Sequence, residues 1–192
     1  MKTTNNILII ILPMVVFLLS GACSIRHYFP AEGILTEDRY AIIRSDSLLI
    51  AVKPTSYNGN YQSLNNRFFP VFIRIKNNSG NRINIPESAF SVITIDQQYD
   101  PVPIQFILAS LRQNLFLEET RDIFQPSSPY PNPLDETRTQ DIYFEMVNKS
   151  FSYGDLLPGG IKEGYLFYNK AISYGNSFSF DALGKTILFE KK

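Results

Sequence analysis

One cysteine and one histidine are the scarcest reactive groups among these 192 residues, and they stand close together as Cys23 and His27. A lone thiol closes no disulfide within its own chain, and one sulfur with one imidazole falls short of a zinc ligand set. A general base needs a positioned partner and a pocket. His27 instead lies in a stretch that mixes Pro30, Gly33 and scattered charges, which reads as a solvated connector. The carboxylates occur as Glu118-Glu119, Asp135-Glu136 and singly elsewhere. Adjacent side chains diverge from a helix or a strand, so neither doublet makes the converging acid pair of a glycosidase. Glu118-Glu119 reads as a solvated helix end. The chain has no Gly-x-Ser-x-Gly elbow, phosphate-cradling loop or calcium loop, and Gly159-Gly160 is best explained as a turn. No catalytic residue, cofactor or metal is therefore expected.

The residues before Cys23 carry a clearer pattern. Lys2 supplies a positive charge, Ile7 to Leu19 is an unbroken apolar run, and Leu19-Ser20-Gly21-Ala22-Cys23 closes it. The run is about thirteen residues long, against roughly twenty for a bilayer-spanning helix, so it reads as a removable export signal. The small residues before Cys23 resemble the lipobox of bacterial lipoproteins, in which the cysteine receives a diacylglycerol and becomes the first mature residue. That family usually has Leu three residues before the cysteine; here Ser20 takes that place and Leu19 lies one further out. Two other readings stay open: a secretory signal with a chance cysteine, and an uncleaved anchor helix. The first would leave a free thiol in an oxidising compartment. The resemblance implies residues 1–22 as signal peptide, lipidation at Cys23 (a palmitate-type acyl anchor) and attachment to the cell envelope. In a Gram-negative cell, Ser24 in place of Asp resembles the outer-membrane sorting signal.

Composition narrows the partners. Formal charge is zero over the whole chain and falls about one unit negative once Lys2 leaves with the signal. Basic residues form no patch pattern, so nucleic acid is not an expected partner and the lipid alone is expected to hold the chain at the membrane. The mature length suits one domain, with Phe and Tyr abundant and Trp absent.

Hydropathy patterning sets out the elements. Residues 23–46 read as a lipidated tether, with a short strand at Tyr40 to Arg44. Ser47 to Lys53 is a strand stopped by Pro54, and Tyr57 to Asn66 is a polar, exposed loop. Phe69, Val71, Ile73 and Ile75 alternate cleanly, which gives a strand with one wholly apolar face. A turn at Asn77 to Gly80, a strand over Arg82 to Pro86, a strand over Phe90 to Asp96 and a turn at Gln97 to Pro101 follow, together a meander. The period then changes. Ile104, Ile107, Leu108, Leu111 and Leu115 share one helical stripe behind Pro103, predicting a helix over Ile104 to Leu117 that packs on the sheet. Phe124 to Leu134 carries Pro126, Pro129, Pro131 and Pro133 and reads as an extended connector. Thr139 to Phe151 fits both periods, and the charges of Asp141 and Lys149 favour a helix. A loop at Leu156 to Gly160 and strands at Gly164 to Tyr168, Ser177 to Asp181 and Lys185 to Glu190 complete the chain.

Taken in order, "IKNNSG", "INIP", "FSVITID", "LLPGG…EGYLFY" and the final hairpin are similar to the small immunoglobulin-like sandwich domains of an uncharacterised group of bacterial lipoproteins and extracellular proteins. The resemblance implies a mainly β fold: an immunoglobulin-like antiparallel β-sandwich over residues 47–192, with a helical and Pro-rich insert at about 104–151. With neither a cysteine pair nor a tryptophan, the antibody type is excluded.

Function is then a matter of surfaces. Tyr57, Tyr61, Tyr99, Tyr130, Tyr153 and Tyr174 all fall in expected loops, where tyrosines make good contact residues. The leading expectation is a lipid-anchored, non-catalytic binding or scaffolding module whose loops and insert contact an envelope protein. A small-ligand carrier with the insert as its cover is the alternative, and an envelope hydrolase the least favoured. Asn77-Asn78-Ser79 and Asn148-Lys149-Ser150 match the N-glycosylation pattern, a chance match beside a bacterial signal.

Overall fold

In the computed structural model, residues 27–111 and 134–192 are described. The chain is a mainly β, antiparallel β-sandwich. Strands β1 (Tyr28–Pro30), β2 (Thr36–Glu37), β3 (Tyr40–Arg44) and β4 (Leu48–Pro54) lead through a short helix α1 (Leu64–Arg67) to the long strand β5 (Phe68–Asn77). Next come β6 (Ile83–Ile85), β7 (Phe90–Ile93), β8 (Gln98–Tyr99) and helix α2, described over 104–111. Helix α3 (Leu134–Lys149), β9 (Gly154–Leu156), β10 (Ile161–Asn169), β11 (Ser177–Ala182) and β12 (Lys185–Lys191) finish the chain.

One sheet has the order β10-β5-β4-β3-β2 and the other β1-β12-β11-β7-β8, with β6 and β9 pairing as a small ribbon. Strands β4-β5-β10 facing β7-β11-β12 reproduce the A-B-E and C-F-G connectivity of an immunoglobulin-like sandwich. The alternating strand reads as its periodicity predicts. Phe69, Val71, Ile73 and Ile75 of β5 point into the main core against Phe178 and Phe180 of β11 and Phe189 of β12. The closing hairpin turns on Leu183 and Gly184, both at positive φ (51° and 74°), the backbone that matches strand twist in a two-residue turn.

The outer face of β5 divides in two. Phe68 and Phe72 are apolar, whereas Arg74 and Lys76 are exposed, and Arg74 pairs with Glu163 of β10 at 3.2 Å. Only the apolar half is covered. Ile107 and Leu111 of α2 and Ile142 and Met146 of α3 close on it, forming a second core with Tyr57, Leu64, Phe68, Tyr165 and Phe167. The expected helical stripe thus packs on the sheet, and residues 139–149 are helix; Leu115 and the Pro-rich stretch 124–133 lie outside the described residues.

Four expectations need correction. Residues 28–46 are no tether: β1 pairs with β12 (Tyr28 opposite Lys191), and Ala41 and Ile43 of β3 belong to the main core. The strand β1 is too short to show a period, and its partner is at the far end of the sequence. The meander fails too, because β5, β6 and β7 join three different sheets. The turn after β7 comes earlier, since Thr94 Oγ1 accepts from Gln97 N and donates to Gln97 O; Gln98–Tyr99 is then a strand. Lastly, 57–66 is not an open loop, because the insert helices bury Tyr57 and Leu64.

Candidate functional site

Strand β10 is the outer strand of its sheet, and its free edge is occupied by two irregular segments rather than by another strand. Val102 N donates to Phe167 O at 2.7 Å, fixing the entry to α2. Phe151 N donates to Tyr165 O at 2.9 Å, fixing the exit from α3. Pro103 O accepts from Phe106 and Ile107, so the helix starts immediately beyond the first of these anchors. The two segments cover the β10 edge, and a cleft of about 330 Å³ opens between them. That volume is at the lower end of the range of small-molecule sites.

The floor and inner walls of the cleft are apolar, with Val102, Ile107, Val147, Phe151, Leu166 and Phe167. Polar groups come from both sides: Gln105 of α2, Ser150, Ser152 and Tyr153 after α3, and Glu87 from the turn before β7. The Ser150 hydroxyl is buried and has no hydrogen-bond partner among the described residues. Burial, and after it the charge of Glu87, pushes the Tyr153 phenol far above the ordinary tyrosine range, so it stays protonated. Its ring is wedged against Phe90 and Phe151, with centroids at 6.2 and 5.7 Å. One carboxylate, hydroxyls and an amide over an apolar floor suit a small, partly apolar group that carries hydrogen-bond donors.

No protein-family model, curated protein or solved structure matches this chain.

The residues singled out in the sequence are distributed differently. Cys23 lies outside the described residues, as do Glu118-Glu119 and Tyr130. His27 is exposed; its backbone prolongs the β1–β12 ladder through mutual hydrogen bonds with Lys192 at 3.3 and 3.0 Å. Asp135-Glu136 fall in the first turn of α3. Gly159 is a turn residue whose N–H donates to Asn77 O. Among the described residues no group of three or more His, Cys, Asp and Glu could hold a metal ion.

The loop tyrosines do not form the exposed platform that their positions suggest. Tyr57 is buried under α3, Tyr99 packs on the main core, and Tyr153 lines the cleft; Tyr174 is largely exposed. The Asn-x-Ser patterns serve structure instead. The Asn77 amide is fully engaged: its Oδ1 accepts from Ser79 N and Oγ, and its Nδ2 donates to Asn81 O and Leu156 O. Ser150 closes the second pattern inside the cleft. Glu87, Gln105 and Val147 could not have been grouped from spacing, since only the β10 edge brings them together.

Proposed function

We propose that this protein is a lipid-anchored cell-envelope module, attached through acylated Cys23, that binds its ligand without chemistry in the cleft along the β10 edge. The run from Ile7 to Leu19 ending in Leu19-Ser20-Gly21-Ala22-Cys23 supports the anchor. The observation that carries the binding reading is the buried, unpartnered Ser150 hydroxyl beside Tyr153 and Glu87 over an apolar floor. A buried hydroxyl left unpaired costs roughly 1–3 kcal/mol, a cost that a ligand with a matching polar group removes. The cleft favours a small molecule or a single inserted side chain over a broad protein contact, because its volume suits one compact group.

The experiment has two arms. Radiolabelled palmitate should enter the full-length protein and fail to enter a Cys23→Ala form; label in both forms, or in neither, removes the anchor. A photocrosslinking side chain at Gln105 should trap a ligand in cells, and Val147→Arg, which places a charge in the cleft, should abolish the adduct. An adduct that persists in the Val147→Arg form would place binding elsewhere.

A further inference from the structure

Among the described residues, the two most exposed large apolar side chains are Ile95, 94% exposed, and Tyr174, 79% exposed. Both sit at the end of the sandwich where the chain enters. Strand β7 runs towards that end, with Ile93 opposite Ser179 near the start of β11, and Ile95 stands at the tip of the Thr94–Gln97 turn just beyond. Tyr174 closes the single-turn helix Lys170–Tyr174 that carries the chain from β10 across to β11. The first strand is tied to that turn directly. The Tyr28 hydroxyl donates to Ile172 O at 3.0 Å and to Gly175 O at 2.6 Å, and Lys191 Nζ donates to Ser173 O at 2.8 Å.

We infer that this end of the sandwich rests on the lipid surface, with Ile95 and Tyr174 in the headgroup layer and Lys170, Lys191 and Lys192 facing anionic headgroups. The inference rests on acylation of Cys23 as proposed above, and it goes further by fixing how the domain stands. From Cys23 to Tyr28 the chain spans at most about 18 Å even when fully extended. Tyr28 is already paired and buried, so no tether lifts the sandwich away, and the end bearing Ile95 and Tyr174 is the nearest one to the bilayer. A tyrosine with an apolar ring and a polar tip, flanked by lysines, matches the chemistry of the membrane–water interface. An isoleucine at the tip of a tight turn has no packing role there, and it is the side chain a headgroup layer would take up. Lys170 Nζ donates to Asn65 O and Lys191 Nζ to Ser173 O, so two of these cations are already held in place. Asp96 and Glu190 also lie at this end, one beside Ile95 and the other beside Lys191.

The absence of tryptophan makes the test direct. Ile95→Trp, Tyr174→Trp and Leu157→Trp each give the full-length chain one reporter, the last at the opposite end of β10. The acylated proteins are reconstituted in vesicles of phosphatidylethanolamine and phosphatidylglycerol that carry brominated acyl chains. The Trp at 95 and at 174 should shift to the blue and lose most of its emission, while the Trp at 157 keeps the emission it has in unbrominated vesicles. Proteins that float with the vesicles but leave all three reporters unquenched would overturn this placement and leave the anchor intact. Equal quenching at 157 would overturn it as well. A chain that carries no acyl mass on Cys23 and does not float would remove both readings together.

Discussion

Tyr57 donates its phenolic hydrogen to a Glu145 carboxylate oxygen at 2.6 Å, joining the connection between β4 and β5 to helix α3 across the second core. The same carboxylate accepts from Asn60 N at 2.7 Å and from Asn60 Nδ2 at 2.6 Å. Gly59 lies beneath it, and a Cβ there would collide with the Glu145 oxygen and the Tyr57 hydroxyl. This latch sets the position of α3, and with it one wall of the cleft.

Its removal should therefore loosen the insert before the sandwich. Tyr57→Phe is expected to cost about 1.5–3 kcal/mol, the usual worth of a hydrogen bond to a charged acceptor. Gly59→Ala should cost more, because neither neighbour can yield without breaking the same bonds. Urea unfolding gives the global loss and hydrogen exchange gives its place. Exchange in α3 that is unchanged in Tyr57→Phe would refute the latch.

Asn77 is fully buried, and four hydrogen bonds engage its amide. Asn77→Ala leaves Leu156 O and Ser79 N to find new partners at the end of β5. A loss of about 2–3 kcal/mol is expected, with little compensation from Asn77→Asp, whose side chain lacks the donors. Thermal unfolding of both variants tests this, and an Asp variant as stable as the parent would count against it.

Alkaline pH should expose the buried phenols. Tyr57 is raised first by burial and then by its bond to Glu145, Tyr153 by burial and Glu87, and Tyr168 by burial. A group whose folded pKa lies above its unfolded one adds stability that is full below the ordinary tyrosine value near 10 and fades as pH rises beyond it. Tyr28, Tyr40 and Tyr165 are raised by burial as well, so six of the eleven tyrosines should ionise late, with Tyr57, Tyr153 and Tyr168 waiting for unfolding. Tyrosinate absorbance and circular dichroism followed together would show the last step coinciding with loss of structure. Complete ionisation of a still-folded chain would contradict the burial assigned to them.

Asp155 behaves in the opposite sense. It ties the two strands of the β6–β9 ribbon together, accepting from Asn84 Nδ2 at 3.0 Å and pairing with Arg82 at 3.0 Å. Asn84 above all, with Arg82 and Lys162, holds its carboxyl below the ordinary 3.8. Its contribution is present above that value and is lost as pH falls through the lower folded one. A carbon-detected titration should place its midpoint below 3.8 in the parent chain and move it upwards in Asn84→Ala. Equal midpoints would assign the shift to another group.

The fold was legible where local period and packing agree. The alternation of Phe69, Val71, Ile73 and Ile75, the stripe of Ile104, Ile107, Leu108 and Leu111, and the closing hairpin all appear in the structure as their spacing predicts. The cover over half the outer face of β5, on Phe68 and Phe72 but not on Arg74 and Lys76, came only with the packed helices. Strands of two or three residues were not legible, because so short a segment shows no period and draws its stability from a distant partner. Tyr28–Pro30 exists because Phe189 to Lys191 lie beside it, and Tyr57 is buried because α3 reaches back to it.

Residue type and near-neighbour spacing were enough for the sandwich class and for the helical stripe behind Pro103, while 139–151 fitted two periods. Only the assembled sheets show that residues 28–46 are strands, that the loop tyrosines divide between core, cleft and surface, and that Glu87, Ser150 and Tyr153 meet. Those outcomes rest on contacts between residues far apart along the chain. Burial and edge pairing are properties of the assembled sheets, and no stretch of sequence carries them by itself.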